Sequence, residues 1–217
     1  MRDCASRPPD IPSGEESRWI SLAKHGDQAA FEQLVLRYEK KVYSLALRLC
    51  GNPDDAQEAA QEAFVSAWQG LAFFRGDASF STWLYRLTSN ACMDLLRREQ
   101  RHRSAAGASL DDEAAGLDVP DRGSTPQEEA ERAELRRALE RGLLALPAEY
   151  RAPLVLRELR QLTYDEIAAA LELDLGTVKS RINRGRKQLR KWLSENGNFF
   201  PAQPSKAIEK GAANEIL

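Results

Sequence analysis

The sequence predicts an all-α protein of two small helical domains joined by a flexible acidic linker. Three observations predict it. Ala, Leu, Arg and Glu are abundant while only 13 of 217 residues are Gly and 7% are aromatic; these residues favour helix, and the Val/Ile alternation of strands is nearly absent. Apolar residues recur at helical spacing from near Trp19 to about Arg103, and again from Glu128 to Leu193. Between those stretches, residues 104–127 carry few large apolar side chains and much Ala, Asp, Gly, Ser and Pro, a composition that cannot bury enough surface to order itself. The expected organisation is a disordered N-terminal extension (1–17), a helical domain (18–103), the acidic linker (104–127), a second helical domain (128–195) and a mobile tail (196–217).

In the first domain, Gly51-Asn52-Pro53 and Phe74-Arg75-Gly76-Asp77 are loop signals. The helix between them, residues 53–70, has Asn52 as its N-cap. Ala56, Ala60, Ala63, Phe64, Ala67 and Leu71 share one side of it, and Asp54, Glu58, Gln61 and Glu62 the other. Taken alone that is an ordinary amphipathic helix. Ser79 caps the next helix, which carries Phe80, Trp83, Leu84, Tyr85 and Leu87, a polar Asn90, then Leu95 and Leu96, and ends in a basic run from Arg97 to Arg103. Aromatics interleaved with arginines suit single-stranded nucleic acid, whose bases stack on rings while cations hold phosphates. The alternative is core aromatics with a basic end complementing the helix dipole. That alternative accounts for Trp83 and Leu84 better than for Asn90.

The second domain shows stop signals at Pro147 and Pro153 and then its sharpest pattern. Thr163 followed by Glu166 reads as a capping box opening a short helix with Ile167, Ala168 and Leu171 on its apolar face. Leu173-Asp174-Leu175 makes a turn with Asp174 as N-cap. The following helix buries Val178, Ile182, Gly185 and Leu189, and turns Ser180, Arg184, Lys187 and Lys191 the other way, with Thr177 and Arg181 beside them. A basic run alone is most simply a solvated face; preceded by a short capped helix, it is the arrangement that enters a DNA major groove.

The net charge of −2 conceals blocks of opposite sign: nine acids against two arginines over residues 107–134, and seven bases with no acid over residues 176–191. Together with 29% charged residues and a mean hydropathy of −0.53, this points to a polyanion surface in one place and a different partner elsewhere. No stretch reaches the roughly 20 apolar residues that cross a bilayer, and Asp3, Pro8, Pro9 and Pro12 stand where a signal peptide needs an apolar run. Cys4, Cys50 and Cys92 are far apart and there are two histidines, His25 and His102, so neither a metal site nor any other cofactor is expected. Cys50 and Cys92 read as core residues of a reduced cytoplasmic protein. No glycine-rich phosphate loop and no nucleophile beside a histidine argues for an enzyme or a small-molecule substrate.

Five blocks in order resemble the extracytoplasmic-function group of the sigma-70 family. They are Asp27-Gln28-Ala29-Ala30-Phe31 with Leu34, Val35 and Tyr38; DAQEAAQEAFVSAW at 55–68; FRGDASFSTWLYR at 74–86; Leu146-Pro147 with YDEIA at 164–168; and GTVKSRI at 176–182. The resemblance covers roughly residues 22–193. It implies an alternative sigma factor that binds RNA polymerase core (β and β′ subunits), with Asp55, Glu58, Gln61 and Glu62 docking on a coiled coil of the largest subunit. It implies capture of the −10 element as a melted strand with a flipped base, involving Phe80, Trp83, Arg86, Asn90, Arg97 and Arg98. It implies duplex reading of the −35 element by Thr177, Lys179, Ser180, Arg181, Arg184 and Lys187. The acidic linker resembles the segment that runs through the polymerase cleft and RNA exit channel. Members of this group answer stress and are usually held by an anti-sigma factor, often membrane-anchored. Gln57, Ala59 and Ala60 depart from the family, which more often has an acid and two larger apolar residues there; closer packing or a weaker hold follows. The competing reading is a helix-turn-helix regulator that is not a polymerase subunit, which would require a sensor domain of alternating strands and helices in the N-terminal half.

Overall fold

The computed structural model describes residues 14–106 and 126–196. The linker expectation falls largely, and the tail expectation almost wholly, outside the described residues. Eight α-helices are found among the described residues: α1 (Gly14–Lys24), α2 (Gln28–Cys50), α3 (Pro53–Gly70), α4 (Phe80–Ala106), α5 (Pro126–Leu144), α6 (Ala148–Leu159), α7 (Tyr164–Leu171) and α8 (Leu175–Asn196), with a 3₁₀ turn (Leu71–Phe73) after α3. Local chemistry sets their starts. Asp27 accepts from the Ala30 N–H at 3.0 Å, Asn52 from Asp55 at 2.7 Å, Ser79 from Thr82 at 3.1 Å and Asp174 from Thr177 at 2.9 Å, each satisfying a donor that the first turn leaves unpaired. Thr163 and Glu166 close the reciprocal capping box on α7.

α1 corrects the expected extension, because residues 14–17 are helical. Glu16 is buried, accepts from the Tyr38 hydroxyl at 2.9 Å and pairs with Arg37 at 3.1 Å. A buried carboxylate held by two partners is ordered at little cost. Pro153, read as a stop, instead lies inside α6. Its ring is buried and frees one carbonyl near the helix start, so packing offsets the missing bond.

Two hydrophobic clusters form. One lies wholly within α1–α4 and the 3₁₀ turn, around Leu34, Val42, Ala63, Leu71, Phe80 and Leu84. The other is shared: Leu45, Leu49, Ala56, Ala59 and Cys92 of the N-terminal half pack with Leu154, Leu156, Ile167, Val178 and Ile182 of the C-terminal half. Ala59 and Ala60 are buried against the neighbouring helices. Arginines pin the seam. Arg151 donates to the Leu49 carbonyl at 2.7 Å and to Leu146 at 3.3 Å; Arg160 donates to the Lys41 carbonyl at 2.5 Å and to the Ser44 hydroxyl at 2.6 Å, and lies 5.1 Å from the Tyr85 ring centre. Burial pushes both guanidinium pKa values down.

Candidate nucleic-acid interface

α8 presents the basic surface. Its first turn is fixed by Asp174, which takes both the amide and the hydroxyl of Thr177, so that hydroxyl is committed to the cap. These bonds lower the Asp174 pKa. Val178, Ile182 and Gly185 are buried on the rest of the unit, while Ser180, Arg184 and Lys187 are exposed together. Lys179 lies 6.0 Å from the Tyr164 ring centre, and half-buried Arg181 pairs with Glu149 at 3.4 Å.

On α3, Glu58, Gln61 and Glu62 form an exposed stripe. Asp55 is partly withdrawn from it, because Asn52 donates to its carboxylate in return for the cap. Glu58 pairs with Arg98 of α4 at 3.1 Å, joining a residue expected at polymerase to one expected at DNA.

α4 bears the remaining expected residues. Phe80 is a correction: it is 3% exposed, with Tyr38, Phe74 and Trp83 rings at 5.5, 5.9 and 5.7 Å. It belongs to the apolar core beneath Phe74 and Trp83 and has no face left for a base. Trp83 is half-buried and stacks on Phe74 at 5.0 Å, while Phe73 beside it is 84% exposed. Asn90 is half-buried, and Arg97 pairs with Asp94 at 3.0 Å.

The C-terminal half borders part of this face. A cavity of about 460 Å³ is walled by Phe74, Trp83 and Arg86 on one side and by Asp165 and Glu166 of α7 on the other. A second, of about 420 Å³, brings Asn90 and Arg97 opposite Glu149, Glu172 and Arg181. Thr82 donates to Glu166 at 3.1 Å, and Arg86 lies 3.6 Å from Glu172. Sequence reasoning missed Thr82, Glu166 in this second role, and the two seam arginines. Arginines in and directly after α6, beside its apolar run, were the available signal.

Residues 34–102 match the family model of sigma-70 region 2, and residues 136–189 that of sigma-70 region 4. The ECF RNA polymerase sigma factor SigW of Bacillus subtilis is 37% identical over 184 residues, spanning 81% of this chain and 95% of that protein. The chain belongs to the extracytoplasmic-function group of the sigma-70 family. The ECF RNA polymerase sigma-E factor of Escherichia coli K12 is likewise 37% identical to this sigma factor, over 176 residues, covering 78% of the chain and 90% of the relative. Among solved structures, CnrH in complex with the cytosolic domain of CnrY superposes with a TM-score of 0.57 at 27% identity, covering 84% of this chain and 99% of that one. The sigma factor RpoE of Bartonella quintana, in complex with the anti-sigma factor NepR, shares the fold (TM-score 0.60, 22% identity, 76% and 98% covered). As an alternative sigma factor, the protein directs RNA polymerase core to promoters. No helix of the described residues is long and apolar enough to cross a membrane.

Proposed function

We propose that this sigma factor docks on polymerase core through Glu58, Gln61 and Glu62 of α3, with Asp55 framing the start of that surface. Trp83, Arg86 and Asn90 of α4, with the loop before it, take the −10 element as a melted strand, and Arg97 and Arg98 hold its phosphates. Ser180, Arg184 and Lys187 of α8 read the −35 duplex, with Lys179 and Arg181 at its edge. The observation that carries this reading is the exposed basic face of α8, fixed by a capped turn and by burial of its opposite face, since major-groove entry needs a rigid helix with free donors. The chain supplies recognition and the polymerase supplies the chemistry. It acts in the cytoplasm, under an anti-sigma factor that releases it on stress; CnrH, at 27% identity, was solved with a protein partner bound.

Reconstitution with core polymerase on DNA of its own genome tests the reading. Discrete initiation sites dependent on this chain are expected. Tight protection of specific duplex sites by the free chain at physiological salt, without core, would instead make it a stand-alone regulator.

A further inference from the structure

Among the described residues every aromatic side chain but one is partly or fully buried. The exception is Phe73, which is 84% exposed and makes no ring contact there. A phenyl ring held in water forgoes the stabilisation that burial brings. Its backbone, however, is pinned. Phe73 ends the 3₁₀ turn between Leu71, 1% exposed, and Phe74, whose N–H donates to the Leu71 carbonyl at 3.1 Å. Phe74 is stacked on Trp83 at 5.0 Å, and the Lys24 ammonium lies 5.7 Å from its ring centre. The turn therefore carries the Phe73 ring outward from a fixed base, at the edge of the cleft that Phe74, Trp83 and Arg86 line.

We propose that Phe73 is a stacking platform for one unpaired base of the melted −10 strand, outside the part held by Trp83, Arg86 and Asn90. This rests on the reading of α4 as the strand-binding face. The surroundings favour a base over a protein side chain as the occupant. Along the turn and loop the exposed neighbours are Ala72, Arg75, Gly76 and Asp77, small or charged residues and not the broad apolar patch that seats a partner protein. A base needs only one flat apolar face, with cations nearby for the phosphates on either side of it. Arg75 and Arg86 line the same cleft and supply those cations. Every base has such a face, so Phe73 adds hold on the strand without adding base preference. Its contribution is to retention of the open strand, not to the choice of promoter.

The test uses holoenzymes assembled from core polymerase and the full chain, as wild type, Phe73→Ala, Phe73→Trp and Trp83→Ala. Each is titrated with a premelted promoter fragment, and with a set of fragments in which one nucleotide at a time of the open −10 strand is made abasic. Phe73→Ala is expected to weaken binding of the intact fragment about tenfold, the size of one lost base–aromatic stack, and Phe73→Trp to restore it. At one position the abasic fragment should be about tenfold weaker than the intact one for wild type and no weaker for Phe73→Ala, because both changes remove the same contact. Equal binding of the intact fragment by wild type and Phe73→Ala would overturn the platform. So would a loss in Phe73→Ala that persists undiminished at every abasic position, which would place the ring on protein. In both cases a loss caused by Trp83→Ala leaves the assignment of α4 standing. Binding unmoved by Trp83→Ala would overturn that assignment, and the platform with it.

Discussion

Asn90 stands half-buried in the middle of α4, two residues before fully buried Cys92, with its side chain bordering the cleft it shares with Arg181. An amide there adds nothing to helix propensity. Asn90→Ala is therefore expected to fold and to bind core normally while losing open-complex formation, because an unpaired base edge left without its partner costs about 1–3 kcal/mol. Permanganate reactivity of the −10 thymines reads this directly, and equal reactivity of wild type and mutant would leave Asn90 without a role. Phe80 behaves differently. Its ring is enclosed, so Phe80→Ala should cost about 3–5 kcal/mol of stability, whereas Trp83→Ala should chiefly impair strand binding. Thermal denaturation of the two variants separates them. Sequence could place both aromatics on one helix, but ring burial depends on Tyr38, 42 positions away, and no local pattern encodes that contact. Cys92 is as expected, a core thiol. The Cys50 thiol hydrogen-bonded to it, and then burial, push its pKa well above the ordinary value, so alkylation at neutral pH should modify half-exposed Cys50 before Cys92. Peptide mass mapping after brief iodoacetamide treatment checks the order.

At the scale of elements, the caps made the helices legible. Asn52, Ser79, the Thr163–Glu166 box and Asp174 all mark helix starts in the sequence and hold them in the structure. The first turn of α1 was not legible, since its anchor is a buried Glu16 whose partners Arg37 and Tyr38 lie on another helix. The acidic stripe of α3 was legible as a pattern but not in its pairing with α4. Reversing Glu58 and Glu62 to Lys breaks the exposed pair with Arg98, and loss of such a pair shifts stability by roughly 1 kcal/mol at most. Pull-down of core by the double variant should nevertheless fall sharply; unaltered pull-down would remove α3 from that interface. On α8, Arg184→Ala should weaken promoters unequally if it reads a base, by about 1–3 kcal/mol at the preferred one, while Lys187→Ala should weaken all alike and flatten the salt dependence. Binding to a panel of −35 variants at two salt concentrations distinguishes them. Gly185 is constrained by packing: a Cβ there would come within 3.2 Å of the Tyr150 carbonyl oxygen. Gly185→Ala must move α8 against α6, and a lowered melting temperature is expected.

At the scale of the whole molecule, sequence foretold two helical units but not that they share a core. Their contact is non-local, made by Leu45, Leu49, Ala59 and Cys92 meeting Leu154, Leu156 and Ile182, and each of these reads equally well as the interior of its own bundle. Arg151 joins the units at a particular atom. It donates to the Leu49 carbonyl in the last turn of α2, where carbonyls have no partner of their own and a cation is favoured by the dipole. The same guanidinium also takes the Leu146 carbonyl ahead of α6. With apolar burial and buried hydrogen bonds both spanning the seam, neither half can unfold without exposing surface of the other. The free chain should therefore melt in one transition whose calorimetric and van't Hoff enthalpies agree. Arg151→Ala leaves two carbonyls without their donor, at about 1–3 kcal/mol, and removes the link between α2 and α6. Its melting should fall to lower temperature and broaden, with the van't Hoff enthalpy dropping below the calorimetric one as the halves begin to unfold separately. Differential scanning calorimetry of both proteins decides it: two resolved transitions in the wild type would mean that the halves are independent, and that the seam contributes nothing to stability in solution.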